Sequence, residues 1–155
     1  MKIGLGLNSI IKSFREEFFF LSNFYPCKIV WKGKNWGSVE HIFQAEKIYD
    51  EKEKEAIRNT PTAKDAKQIA NKLEARNGWD GVKEQLMLQL VRSKFVQNLD
   101  LYEKLKLTKK RKLIEGNTWH DNFWGDCICE ECKNIKGANK LGQILMKVRE
   151  ELEKL

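Results

Sequence analysis

The segment Ser38-Val-Glu-His-Ile-Phe-Gln-Ala-Glu-Lys47 holds the residue types that acid–base and nucleophilic chemistry on a small molecule needs. On a helix, residues four and seven apart return to the same face, so Glu40, Gln44 and Lys47 line up with Phe43 beside them. A carboxylate, an amide and an amine then share one stripe. A carboxylate in a first helical turn feels the positive end of the macrodipole and tends to stay ionised, as a general base or a stabiliser of positive charge must. The same spacing also describes the solvated polar face of an ordinary amphipathic helix, and spacing alone leaves both readings open.

A second such segment is Trp119-His-Asp-Asn-Phe-Trp-Gly-Asp126, where two tryptophans, two aspartates and a histidine fall within eight positions. An indole face stacks on a flat base or sugar while acids and amides bind its edge; tryptophan also commonly fills a core. Cys127, Cys129 and Cys132 follow directly. Three thiols at this spacing suit metal ligation or reduced thiols better than a secreted disulfide framework. They form a candidate structural zinc site, with His120 or the distant Cys27 as fourth ligand, that would clamp the loop bearing Trp124 and Asp126. No cofactor is required by the chemistry, and no catalytic metal is expected.

The elements that position these residues can be read from local pattern. Residues 18–36 are rich in aromatic and β-branched types, and Lys32-Gly33-Lys34 reads as the turn of a short N-terminal antiparallel β-hairpin. Ser38 caps a helix that runs to about Tyr49. Thr62-Ala-Lys-Asp65 has capping-box spacing for a helix through about Leu73. From Val82 to about Val96, Leu86, Leu90 and Val91 recur at helical spacing with Met87 and Phe95 beside them. Asp100 to Leu107 reads as a shorter helix. The stretch 113–140 has no helical period and reads as a long functional loop. Leu141, Ile144, Leu145, Val148 and Leu152 then mark one face of a C-terminal helix. These elements predict an α+β, mostly helical single domain spanning residues 1–155.

Composition adds bounds. A chain of 155 residues can bury one sizeable core. The start, MKIGLGLNSIIKSF, fits neither a secretory signal nor a spanning helix, which predicts a cytoplasmic protein without a membrane partner. Lysine and arginine number 29 against 22 acids, and the resulting net charge of +7 attracts phosphates or nucleic acid. Lysines and glutamates alternate through 46–56 and 103–112, as on solvated helix faces, so charge alone does not single out a nucleic-acid stripe.

Six motifs carry a resemblance that covers nearly the whole chain. Phe20-Leu-Ser-Asn-Phe-Tyr-Pro26, Ser38 to Lys47, Arg92-Ser-Lys-Phe95, Leu113-Ile-Glu-Gly-Asn117, Phe123-Trp-Gly-Asp126 and Gly137-Ala-Asn-Lys-Leu-Gly142 stand in the order and approximate spacing of the NADAR (NAD and ADP-ribose associated), or YbiA-like, family. The core motifs fall within residues 14–150. The resemblance implies an α+β, mostly helical fold and N-glycosidase activity on phosphorylated ribosylamino-pyrimidines of the riboflavin pathway. In other members it implies removal of ADP-ribose from guanine. It makes Glu40 the catalytic carboxylate and Lys47 the amine facing the sugar. Asn23, Phe24, Trp124, Asp126, Asn139 and Gly142 become pocket residues, Arg92 and Lys94 phosphate or pocket-shaping contacts, and Glu115 a further site residue. The expected partner is a small nucleotide-like substrate, with ADP-ribosylated nucleic acid as the other candidate.

The residue types suit that chemistry. Breaking a C–N glycosidic bond builds positive charge at the anomeric carbon while the leaving amine gains a proton, roles that Glu40 and Asp126 can share. In a second route a deprotonated Lys47 attacks the ring-opened sugar through a Schiff base that water then hydrolyses. Two rival classes are a non-catalytic binder of ADP-ribose or NAD and a small zinc-stabilised nucleic-acid module. Glu40 and Lys47 argue against the first, and the absence of a paired zinc motif against the second.

Overall fold

The computed structural model describes residues 9–155 and divides into two compact units, residues 23–99 on the one hand and the flanking 9–22 with 100–155 on the other. The fold is α+β, with helix outweighing strand.

In the unit 23–99, β2 (Ile29–Trp31) and β3 (Lys34–Trp36) form the expected antiparallel hairpin. Its two turn residues both hold positive φ, Lys32 at 49° and Gly33 at 77°, the mirror-image turn whose twist matches that of the strands. Four helices follow: α1 (Val39–Lys47), α2 (Glu51–Arg58), α3 (Ala63–Ala70) and α4 (Trp79–Gln97). α1 packs against the other three and is buried on every side from Val39 to Glu46. α3 meets it with Ala63, Ala66 and Ala70, small side chains on one face that let two helices approach closely. At the far end of α4 the Gln97 amide accepts from Val30 N–H at 2.7 Å and donates to Val30 C=O at 3.0 Å, mimicking a strand partner for the hairpin edge.

α2 is absent from the sequence expectation. It has an Asp50 N-cap, whose carboxylate accepts from Lys52 and Glu53 N–H, but buries only Ile57, so no apolar stripe announces it. α3 is capped by Thr62 as its spacing predicts. It stops at Ala70, short of Leu73, because the next residues tighten into turn bonds of Lys72 to Ile69 and Leu73 to Ala70.

In the other unit, the aromatic run at its start is not strand: Glu16–Leu21 is a 3₁₀ helix. β1 (Ile10–Ile11) lies parallel to β4 (Lys112–Leu113), and β5 (Gly116–Asn117) lies parallel to β6 (Asp126–Cys127). α5 (Leu99–Leu107) and α6 (Lys140–Glu153) complete it. α6 buries Leu141, Leu145, Val148 and Leu152. Its Arg149 donates to Thr108 Oγ1 and to the Arg111 carbonyl, both at 2.9 Å, which ties it to the turn after α5. Gly142 lets α6 seat on β4, since a β-carbon there would lie 2.1 Å from the Leu113 carbonyl oxygen. The stretch expected to be a long loop therefore contains two short strands and a second 3₁₀ turn, Glu130–Cys132.

Candidate active site

The start of α1 is fixed by a reciprocal pair. Ser38 Oγ accepts from His41 N–H at 3.1 Å and lies 2.7 Å from His41 Nδ1, while His41 Nε2 lies 3.1 Å from the Thr60 carbonyl. A carbonyl can only accept, so Nε2 carries the ring proton and Nδ1 accepts from the Ser38 hydroxyl. Burial holds the His41 pKa below its usual 6.5, against the opposing pull of the Thr60 carbonyl and the Asp65 charge. A neutral imidazole therefore anchors the turn on which Glu40 stands.

Glu40 is the second residue of α1, and its N–H donates to the Asn23 carbonyl at 3.0 Å. Its side chain does not belong to a solvated face: Glu40 is 6% exposed and Gln44 5%. Gln44 Nε2 donates to Glu40 Oε1 at 2.7 Å. With the amide donor turned to the carboxylate, Gln44 Oε1 is buried and has no hydrogen-bond partner among the described residues. An orphaned buried acceptor costs about 1–3 kcal/mol, which a ligand N–H or O–H would recover. Lys47 is half-buried in the last turn, where Arg76 caps the helix by donating from N–H to the Lys47 carbonyl at 2.9 Å and from Nε to the Glu46 carbonyl at 2.8 Å.

The remaining residues of this unit surround that helix in different ways. Phe43 packs into the core with its ring 4.9 Å from that of Trp79. Asn23 is buried and donates from Nδ2 to Met87 Sδ at 3.3 Å. Phe24 is half-buried beneath Lys67, whose Nζ is 5.8 Å from the ring centroid, and Arg92 is half-buried on α4. Lys94 is 1% exposed, with Nζ 5.3 Å from the Phe95 ring and 5.7 Å from the Tyr25 ring. Burial pushes its pKa down to about 8, and the neighbouring Cys27 only partly opposes this. Lys94 is thus buried along the inner side of α4. A groove of about 730 Å³ lies past the end of α1, lined by Tyr49, Asp50, Glu53, Lys72 and Arg76 among others, and Glu40 is not in its wall.

The site candidates of the other unit form a network of their own. Asn139, in the left-handed region at φ 50°, accepts from Glu115 N–H at 3.0 Å and donates to the Leu113 carbonyl at 2.9 Å. Both ends of its amide are used to dock the start of α6, and Gly142 serves the same contact. Asp126 Oδ1 accepts from Gly137 N–H at 2.9 Å. Glu115 Oε2 accepts from Asn117 Nδ2 at 3.2 Å. Gly125 is required between Trp124 and Asp126, because a β-carbon would lie 2.2 Å from the Glu115 backbone carbonyl oxygen. Trp124 is half-buried, edge-on to Phe123 at 4.8 Å, and its N–H donates to Asp121 Oδ1 at 2.9 Å. After this loop, His120, Cys127, Cys129 and Cys132 place their donor atoms within 4.8 Å of one another. Cys27 lies instead beside Lys94 in its own unit.

Sequence reasoning missed His41 and Arg76 as the residues that hold α1 at its two ends. The Ser38-x-x-His41 spacing signals the first; nothing local signals Arg76, which comes from a later turn.

The NADAR domain profile matches residues 11–153. N-glycosidase YbiA of Shigella boydii serotype 4 is 38% identical over 139 residues, which cover 88% of this chain and 83% of that protein. Riboflavin biosynthesis protein VVA0006 of Vibrio vulnificus is 37% identical over 140 residues, 89% of this chain but 36% of that longer protein. The NMR structure of the Escherichia coli protein YbiA superposes with a TM-score of 0.82 at 34% identity, covering 99% of this chain and 90% of that one. The chain belongs to the NADAR family. Within it, the chain is a hydrolase acting on N-glycosyl bonds, the class of the N-glycosidases it matches over most of both lengths. No helix among the described residues is long and apolar enough to cross a membrane.

Proposed function

We propose that the protein hydrolyses the C–N bond of a ribosylamino-pyrimidine phosphate, with Glu40 as its central carboxylate, Gln44 as the group that orients it and Lys47 as the amine that engages the sugar. The observation that carries this reading is the buried Glu40–Gln44 pair at the head of α1, with the Gln44 carbonyl oxygen unsatisfied. A buried carboxylate oriented by an amide at a helix start is placed to answer positive charge that develops during reaction.

In the covalent route, the Lys47 amine attacks C1 of the ring-opened sugar. The C1–Nζ bond forms, the bond to the substrate amine breaks, and the departing amine takes up a proton. Water then adds to C1 and Nζ leaves, which regenerates lysine and frees the sugar phosphate. Glu40 moves protons in both halves. Asp126, whose one carboxylate oxygen is engaged by Gly137, is assigned to hold its loop.

The net charge of +7 suits a phosphorylated substrate, and the Vibrio relative's name places that protein in riboflavin biosynthesis. The test is incubation with the ribosylamino-pyrimidine phosphate and, separately, with ADP-ribosylated guanosine, following release of free base and sugar. Rapid release from the first and little from the second is the expected result. Turnover confined to the ADP-ribosylated guanosine overturns the substrate assignment, and cleavage of neither overturns the function.

A further inference from the structure

The residues around Glu40 leave unused a second chemical cluster, at the end of the Trp119–Asp126 segment. His120, Cys127, Cys129 and Cys132 each offer one donor atom, all within 4.8 Å of one another. Zinc binds sulfur at about 2.3 Å and imidazole nitrogen at about 2.0–2.1 Å, so a tetrahedral site separates two sulfurs by about 3.8 Å and nitrogen from sulfur by about 3.5 Å. His120 Nδ1 lies 3.4 Å from both Cys129 Sγ and Cys132 Sγ. We propose that His120, Cys127, Cys129 and Cys132 bind one zinc ion as a closed structural site.

The backbone is shaped for this set. Cys127 sits on β6 in register with Asn117, and a 3₁₀ turn preceded by Cys129 and ending on Cys132 is closed by Cys132 N–H to the Cys129 carbonyl at 3.1 Å. His120 stands at φ 68°, a left-handed conformation uncommon for a residue with a β-carbon, and it brings the ring onto the sulfurs. The surrounding groups match those of metal sites. His120 Nε2 lies 3.9 Å from the Glu131 carboxylate, while Nδ1 faces the sulfurs. Asn122 accepts from Cys127 N–H at 2.9 Å through its oxygen, and its Nδ2 points to Cys132 Sγ at 3.5 Å. A disulfide would use two of the sulfurs and leave both the third and the histidine without a role, whereas one soft divalent ion uses all four donors.

Four protein ligands leave no open coordination position, so the ion is a clamp and not a catalyst. What it clamps is the loop that presents Trp124 and Asp126, bonded through Cys127 to its last residue. The metal thus substitutes for a hydrophobic core that a stretch of short strands and turns cannot build.

The experiment is metal analysis and melting of the full-length chain. Protein expressed with added zinc is expected to carry about one zinc per chain, and stripping it with a chelator lowers the melting temperature, which zinc restores. Cobalt in its place gives the charge-transfer and d–d bands of a tetrahedral thiolate site. Cys129→Ser and His120→Ala lose the ion, and Cys27→Ser retains it. Stripped wild-type protein, whose folding depends on no substitution, is titrated directly with zinc. Metal content near zero with no effect of zinc on its melting overturns the proposal. So does an octahedral cobalt spectrum, bound iron with the colour of a cluster, or equal loss of metal in Cys27→Ser.

Discussion

Gln44 donates to the Glu40 carboxylate across 2.7 Å, one helical turn apart on α1, and both side chains are shielded from solvent. The pair does not fit the solvated polar face that spacing alone allows. A solvated polar face would leave both groups to water; here packing by α2, α3 and α4 closes every side of the helix that carries them.

Acid should loosen the head of that helix. The folded pKa of His41 lies below 6.5, so on acidification the unfolded chain takes up this proton first. The stability held by the neutral ring is full above pH 6.5 and is lost as pH falls from there through the lower folded value. Protonation also removes the acceptor for the Ser38 hydroxyl. His41→Gln should cost about 1–3 kcal/mol at pH 7 and show a smaller fall in urea midpoint than wild type between pH 7 and pH 5.5. Parallel pH dependence in the two proteins would remove His41 from this role.

Lys94 is linked to stability in the same sense, in a more alkaline window. Its folded pKa of about 8 lies below the ordinary 10.5. Below pH 8 both states carry the proton and the folded state bears the full cost of the buried ammonium, on the order of 3 kcal/mol. Between pH 8 and 10.5 the folded chain releases the proton first, so this contribution to stability rises with pH and is complete above 10.5. Lys94→Met should melt higher than wild type at pH 7, with the difference shrinking toward pH 10. A variant that melts lower at pH 7 would show that the ammonium stabilises the fold.

What the sequence disclosed was what neighbouring residues decide. The Lys32-Gly33 turn, the Ser38 and Thr62 caps and the apolar stripes of α4 and α6 are local signals, and each element stands close to its expected place. α2 buries only Ile57, so its lysines and glutamates carried no stripe to read. β1 pairs with β4 across about a hundred residues through two positions each, too few for a period-two pattern. At the site, residue types and helical face were readable for Glu40, Gln44 and Lys47, but burial was not, because other helices supply it. Asn139 and Gly142 were readable as motif and not as structure: their contacts to Leu113 arise only when α6 docks on β4.

The covalent route predicts a trappable intermediate. Borohydride added during turnover should reduce the imine and leave a mass increase on the peptide containing Lys47. Lys47→Arg keeps the charge but is no useful nucleophile, so both adduct and turnover should vanish. Absence of any adduct together with substantial turnover by Lys47→Arg would return the mechanism to Glu40 and direct attack by water.

The central claim rests on Glu40 itself. Glu40→Gln preserves volume and leaves an oxygen for Gln44 Nε2 to bond, so the variant should fold and melt close to the wild-type temperature. Single-turnover cleavage of the ribosylamino-pyrimidine phosphate, measured alongside the melt, should fall at least about a hundredfold. A well-folded Glu40→Gln protein that cleaves at close to the wild-type rate would contradict the assignment of this carboxylate as the centre of the chemistry.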